Sequence, residues 1–358
     1  MQGPVSHPLI KSDLQRIGKA ENGQQGMMSH YALMPETDDP LALHRFRLRS
    51  GPSPSYNALC DVDRLLQTIT HAIAGLRKNG PAKDWKIALA AKHGNCCGGG
   101  YGEEAGDVTR RAVLGDLRAV FGGVVITNYM IGARIAGDLL RYRSDGRRLL
   151  AAVIAPSFTD EAIELLKGKG DKCVLLENEA LASINESSLD THRRIRYVRG
   201  GLLEQDNYTF VPDLSLAERV GPELDNSYLS DAAFAWAIGS TSNSNTITLV
   251  RNGMLLGNGV GQQDRVGAAE LAIKRALDSE KMRQPKKWKR IGVKGAVAYS
   301  DSFFPFKDGP LRLIRKKVRV ICATSGSIRD QEVKDVCIEN DTSLILLPDS
   351  EARGFYAH

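Results

Sequence analysis

Short, almost unbroken apolar runs recur along this chain with helical stretches between them, and that alternation restricts the fold more than any other feature. The runs are WKIALAAK (85–92), GGVVIT (122–127), LLAAVIAP (149–156), KCVLL (172–176), TITLV (246–250), VRVICA (318–323) and SLILLP (343–348). Between them lie helical stretches such as TDEAIELLKG (159–168) and GAAELAIKRALDSEK (267–281). Strands apolar on both faces must be covered on both faces, so the pattern predicts an α/β fold with largely parallel sheets. Upstream, Val62, Leu65, Leu66, Ile69, Ile73 and Leu76 fall at helical spacing. They predict an amphipathic helix against a core, ended by Asn79-Gly80-Pro81.

At 358 residues the chain has room for two domains of ordinary size. Residues 1–28, rich in Gly, Gln, Ser and Lys and without sustained periodicity, read as a leader. The polar stretch 178–235 reads as the connection between two α/β halves, 29–200 and 201–358. No short-period repeat is apparent. No apolar run approaches the ~18 residues of a membrane span, and the N-terminus lacks the apolar region of a secretory signal. A soluble, cytoplasmic protein is expected. The six cysteines include no C-x-x-C pair, which argues against a disulfide scaffold and a zinc ribbon. No metal is expected, because no His/Cys/carboxylate cluster has ligand spacing. The net charge of +6 includes basic clusters at 286–290 and 312–320. Such clusters are either solvated surface or attractors of anions. Nucleic acid is the weakest reading, since no zinc-finger spacing or RRM signature accompanies them.

In open α/β sheets, ligands bind beyond the carboxyl ends of strands. That rule selects Lys92-His93, the Thr324–Ser327 turn and the tail containing Arg353. A Walker A loop, a G-x-S-x-G elbow and the zinc-deaminase signature are absent, and GNGVG (257–261) lacks Rossmann spacing and reads as a turn. A histidine after a strand is more often structural than catalytic. An adjacent lysine shifts the balance, because a neighbouring cation disfavours imidazolium. The pair is therefore a candidate general base and electrostatic stabiliser. On residue type alone, Phe303 fits a core, Arg265 a surface charge, Gly122-Gly123 a tight turn and Asp308-Gly309-Pro310 an ordinary turn.

Whole segments nevertheless resemble one family. KHGNCCGGG (92–100) resembles its pattern that begins K-H, and AVFGGVVITN (119–128) its S-A-F-G-G-I-V-A-x-N segment. SNTITLVRNG and GNGVGQQDRV (244–266) resemble its S-N-A-I-V and G-x-G-A-G-Q-x-x-R stretch. SDSFFPFKD (300–308), SGSIRDQEV (325–333), SYNALCDVD (55–63) and RGGLLEQ (199–205) fit as well. The matches run in family order from about residue 29 to the C-terminus. The family is the AICAR transformylase domain of the bifunctional purine biosynthesis proteins. Nothing corresponds to its usual IMP cyclohydrolase domain, so a stand-alone transformylase module is expected.

The resemblance implies two cytidine-deaminase-like α/β subdomains without the deaminase zinc, and a homodimer with interfacial active sites. It implies transfer of a formyl group from 10-formyltetrahydrofolate, the folate cosubstrate, to the 5-amino group of AICAR ribotide. In that reading His93 is the general base, Lys92 stabilises the developing oxyanion and Asn245 orients the AICAR carboxamide and the histidine. Tyr31, Gly122, Arg265, Phe303 and Arg353 fall on the nucleotide side. Val266, Asp308, Ala323 and Thr324 fall on the folate side.

The departures concentrate on the nucleotide side. The family's R-Y-G-x-N-P-H-Q appears as His30 through Thr37, so an arginine has become His30. An acidic residue corresponds to Ala151, with Asp145 six residues too early. A lysine before the S-N pair has become Asn243, and the tail is one residue longer, which separates His358 from its family counterpart. Two further expectations follow: the same folate chemistry on a different amine, or a non-catalytic nucleotide- or folate-binding homologue.

Overall fold

A computed structural model describes residues 37–144, 146–168, 170–282 and 292–354, together with the backbone of 14–19 and 28–32. Two strands at the start, β1 (Leu14–Lys19) and β2 (Met28–Ala32), pair antiparallel in a small sheet of their own. The first half then runs β3 (Arg47–Ser50), α1 (Tyr56–Asn79), β4 (Lys86–Lys92), β5 (Asn95–Gly102), α2 (Ala105–Val113), α3 (Leu117–Val120), β6 (Val124–Thr127), α4 (Ala133–Arg141), β7 (Ala152–Ala155), α5 (Asp160–Lys167) and β8 (Val174–Glu177). A hairpin of β9 (Arg194–Val198) and β10 (Gly201–Gln205) follows. The expected boundary at residue 200 falls on its turn. The second half runs β11 (Glu218–Val220), α6 (Asn226–Ser240), β12 (Ile247–Arg251), β13 (Met254–Gly259), α7 (Arg265–Met282), β14 (Val297–Ser300), α8 (Asp308–Ile314), β15 (Val320–Thr324), α9 (Asp330–Glu339), β16 (Ser343–Leu347) and α10 (Asp349–Ala352).

Both halves contribute to one twelve-stranded sheet, ordered β11-β16-β15-β14-β12-β13-β5-β4-β6-β7-β8-β3. Read outward from the centre, β5-β4-β6-β7-β8-β3 and β13-β12-β14-β15-β16-β11 repeat one arrangement. Each half has a central hairpin, a parallel triple and an antiparallel edge strand. The α/β class and the covered sheet are as the apolar runs predict. The parallel pairing sits in β6-β7-β8 and β14-β15-β16, and the hairpins and edges run antiparallel. The two halves meet where β13 pairs with β5.

The glycine-rich segments are strands rather than turns, because helices lie directly on them. A Cβ at Gly98 would come 2.2 Å from the Ala112 carbonyl on α2, and one at Gly259 would come 2.1 Å from the Ala268 carbonyl on α7. Across the other face, α1 packs against α6, whose residues from Ser230 to Ser240 are all buried. A helix apolar on every side belongs inside a core, and α6 begins within the stretch the sequence assigned to a connection. Trp236 is fully buried there, with Gly75 of α1 admitting its ring at 3.0 Å from where a Cβ would stand. Among the described residues, no helix is long and apolar enough to cross a membrane.

Candidate functional site

The carboxyl end of β4 delivers Lys92 into a two-residue turn, His93-Gly94, before β5 returns from Asn95. Both turn residues have positive φ, 54° and 72°. This is the tight hairpin geometry that matches strand twist, and histidine is among the residues that tolerate it. The turn leaves His93 exposed and Lys92 half-buried. Lys92 Nζ donates to the Phe121 carbonyl at 3.0 Å. Gly122, at φ 74°, lies beside it, and a Cβ there would stand 3.5 Å from Nζ. The tight turn requires glycine, and its openness leaves the ammonium approachable. Ala151 sits next to this group, donating its N–H to the Gly123 carbonyl at 2.9 Å. Its methyl packs against the hydrophobic core.

A second group forms where the loop before β12 meets the start of α7. Asp264 caps that helix by accepting the Gly267 N–H at 2.7 Å, which places Arg265 in the first turn. Arg265 Nη1 donates to Asn245 Oδ1 at 2.6 Å, and Nη2 faces Asp301 Oδ1 at 3.3 Å. Asn245 Nδ2 donates to the Gln262 carbonyl at 2.8 Å, while the two backbones exchange hydrogen bonds of 3.0 and 3.1 Å. Both ends of the amide are thereby fixed, with one donor and one acceptor position left for a ligand. Ser244 Oγ donates to Asp301 Oδ2. Burial raises the Asp301 carboxyl from its usual value, and the Arg265 guanidinium and Ser244 hydroxyl pull it back. Arg265 Nε is buried without a hydrogen-bond partner.

Phe303 and Arg353 complete this group, with the guanidinium 5.3 Å from the ring centroid. Arg353 also pairs with Asp349, which accepts from Thr324 Oγ1 and, at 3.3 Å, from Ser302 Oγ. Burial alone would raise the Asp349 carboxyl, but hydrogen bonds from Arg353 and Thr324 outweigh it and leave it below its usual value. Asn245, Arg265, Phe303, Arg353, Ser302 and Pro305 line a cleft of about 280 Å³. Phe303 is thus a cleft wall, while its neighbour Phe304 is the core residue. Arg265 is mostly buried and commits two nitrogens to Asn245 and Asp301, so it is not a surface charge.

The folate-side candidates spread around this group. Val266 follows Arg265 on α7. Asp308 opens α8, exposed, with Oδ1 accepting the Gly309 N–H at 2.8 Å. A Cβ at Gly309 would lie 3.9 Å from Arg265 Cβ, which puts the start of α8 beside the arginine. Ala323 and Thr324, at the end of β15, are each 1% exposed. The Ala323 methyl packs into the core and the Thr324 hydroxyl serves Asp349, so neither side chain is open to solvent. Tyr31 lies in β2 opposite Gln15, and His30 opposite Arg16. Their side chains, Asp145 and His358 lie outside the described residues.

The two groups are not one cavity. They are joined through Asn95, which donates to the His93 carbonyl at 3.2 Å and accepts the Asn243 N–H at 3.1 Å. Asp61, Arg64, Asn95, Asp301 and Asp349 escaped the sequence reading as site residues. Asp61 and Asp301 lie within SYNALCDVD and SDSFFPFKD, and a buried-carboxylate reading of those segments would have found them. Among the described residues, no group of three or more His, Cys, Asp or Glu could hold a metal ion.

The family model described as "AICARFT/IMPCHase bienzyme" matches residues 11–275. The bifunctional purine biosynthesis protein PurH of Anoxybacillus flavithermus is 32% identical over 295 residues, 82% of this chain and 50% of that protein. PurH of Oceanobacillus iheyensis is 33% identical over 337 residues, 94% of this chain and 58% of its own length. PurH of Cutibacterium acnes is 32% identical over 341 residues, covering 94% and 56%. The chain therefore spans about half the length of these curated relatives.

Proposed function

The chain belongs to the AICARFT/IMPCHase bienzyme family, and from that membership we propose that it transfers a formyl group from 10-formyltetrahydrofolate to the 5-amino group of AICAR ribotide. The amine nitrogen attacks the formyl carbon, and His93 accepts its proton. Lys92, with donors left after its bond to Phe121, stabilises the charge growing on the formyl oxygen. As the tetrahedral centre collapses, the bond to N10 of the folate breaks and N10 takes up the proton that His93 accepted, so tetrahydrofolate leaves and the imidazole is neutral again. Asn245, through its remaining donor and acceptor, orients the acceptor amide. Arg265 holds Asn245 in place, and Phe303 and Arg353 offer an aromatic wall and a guanidinium to the nucleotide. Val266 and Asp308 face the folate.

The observation that carries this reading is the fixed amide of Asn245, held by Arg265 and Gln262 and linked through Asn243 and Asn95 to the exposed His93. Holding two large substrates in line supplies much of the acceleration expected of such a site. A homodimer that completes each site with residues of both copies, two cytidine-deaminase-like halves and a cytoplasmic setting belong to the same reading. The test is tetrahydrofolate release on mixing the protein with both substrates. If AICAR ribotide neither turns over nor competes at saturating concentration, the acceptor assignment is wrong.

One observation favours a second acceptor. Ala151, bonded through its N–H to the Gly123 carbonyl, packs its methyl against the core, and Asn243 precedes Asn245 on the same loop, at the two positions where the family resemblance places an acid and a lysine. A different amine, formylated by the same folate chemistry, would require a different charge pattern at those two places. A panel of aryl and alkyl amines in the same assay separates the two acceptors.

A further inference from the structure

The first turns of α1 touch both groups of the site. Ser55 caps the helix, accepting the Ala58 N–H at 3.1 Å. Asp61, Arg64 and Thr68 then follow at spacings of three and four, on one helix face. All three are buried, at 8%, 7% and 0% exposure. Asp61 Oδ1 accepts the Gly94 N–H at 2.5 Å. Arg64 donates to the Thr241 carbonyl and, at 3.3 Å, to Asn243 Oδ1. Thr68 Oγ1 meets Thr241 Oγ1 at 2.8 Å.

With Asn95 these bonds close a ring. It runs from the His93 carbonyl to Asn95, from Asn95 to Asn243, from Asn243 to Arg64, along α1 to Asp61, and from Asp61 to Gly94. Gly94 is bonded to His93. Asn245, two residues beyond Asn243, is on the same loop. Its two anchors on α1 are buried, while the Asp61–Gly94, Arg64–Asn243 and Asn95–Asn243 bonds are partly buried and the Asn95–His93 bond is exposed. His93 holds a left-handed backbone at φ 54°, and such a conformation persists where surrounding structure over-determines it.

We infer that Asp61 and Arg64 are positioning residues, which use α1 as a rigid spacer to set the His93 turn and the Asn245 loop in register. Neither touches the reacting atoms. Each acts through the segment it clamps. The inference rests on the roles given above to His93 and Asn245, but its structural half can be read without turnover. Asn243, at the position where the family resemblance places a lysine, is a joint of this ring.

The test combines hydrogen exchange with kinetics on Arg64→Met and Asn95→Ala, variants whose thermal midpoints are measured first. Arg64 and Gly94 are on opposite arms of the ring. Exchange at the Gly94 amide should therefore quicken about tenfold or more in Arg64→Met, although Asp61 is untouched. In the same variant kcat should fall by roughly 10- to 100-fold while KM for formylfolate stays within about threefold, the signature of misplacement. The double variant should lose no more than the worse single one, because a ring opened once is open. Should Arg64→Met fail to fold, Asn95→Ala cuts the same ring at a half-buried position, with kcat and the Asn245 amide as readouts. Unchanged Gly94 exchange with unchanged kcat in folded protein, or losses that multiply in the double variant, would overturn the inference. A wild type without transformylase activity but with coupled exchange would fail the reading of function and support the ring.

Discussion

Replacing Asp301 by asparagine keeps its shape and removes its charge, and the consequence falls on Arg265. The Asp301 side chain is fully buried and the Arg265 side chain is 14% exposed, with 3.3 Å between Nη2 and Oδ1. At an effective dielectric of ~20, charges at that separation attract by about 5 kcal/mol. Breaking one member of a buried pair commonly costs about 3–5 kcal/mol, because the partner charge is left without compensation. Here the introduced amide can keep its oxygen towards Arg265 and donate its NH2 to Ser244 Oγ, and water has slight access to Arg265. The expected loss is therefore near the lower end, about 3 kcal/mol. Against a total stability of roughly 5–15 kcal/mol, that is readily measured. Urea denaturation at neutral pH should show a midpoint lowered at unchanged slope. Activity should fall more than stability alone explains, since Arg265 also holds Asn245 Oδ1 at 2.6 Å. A midpoint within error of the wild type would refute the argument that this pair is a buried, mutually dependent one.

Three further outcomes follow from the packing and the titrating groups. Gly259→Ala should lower the thermal midpoint through at least about 1–3 kcal/mol of overpacking, because the new methyl would meet the Ala268 carbonyl at 2.1 Å. Calorimetry showing an unchanged midpoint would mean α7 can move away freely. Burial lowers His71 to about 4, overriding its contacts with the Gln67 and Tyr208 carbonyls. An unfolded histidine titrates near ~6.5, so this contribution is fully present above that pH and is lost as pH falls towards 4, in all about 3 kcal/mol. Stability of wild type and His71→Asn compared between pH 7.5 and 4 checks it, and identical slopes would contradict it. Arg353→Ala should weaken nucleotide binding at least tenfold by calorimetric titration, since it removes the cation over Phe303 at the cleft wall. Unchanged affinity would place the nucleotide elsewhere.

Much of the fold was legible because buried strands advertise themselves as apolar runs. KIALAAK, VVIT and SLILL became β4, β6 and β16 with little shift in their bounds. Two elements were hidden for opposite reasons. β5 and β13 carry glycines where a helix crosses closely, and glycine reads as a turn when the helix is out of view. α6 is buried on every side, so it lacks the polar face that makes a helical period visible. Two α/β halves were expected, but their repeated strand order and their union in one sheet were not visible, because the repeat preserves the order of elements and not a short sequence period. In the site, Lys92 and His93 followed from their place after a strand. What Asp61 and Arg64 hold could not be read, because it comes from the His93-Gly94 turn and the 241–243 loop, distant in sequence and adjacent only once α1 is packed.

The central claim is that His93 removes the proton from the attacking amine. It is tested most directly by following tetrahydrofolate release by absorbance, with 10-formyltetrahydrofolate and AICAR ribotide, in the wild type and in His93→Ala. General-base catalysis is worth about 10²–10⁴-fold, and because His93 is exposed the variant should lose only the modest stability that alanine costs at a φ of 54°. The account predicts turnover in the wild type and a loss of that size in the variant, with formylfolate still bound. A folded His93→Ala protein that releases tetrahydrofolate at the wild-type rate would contradict it.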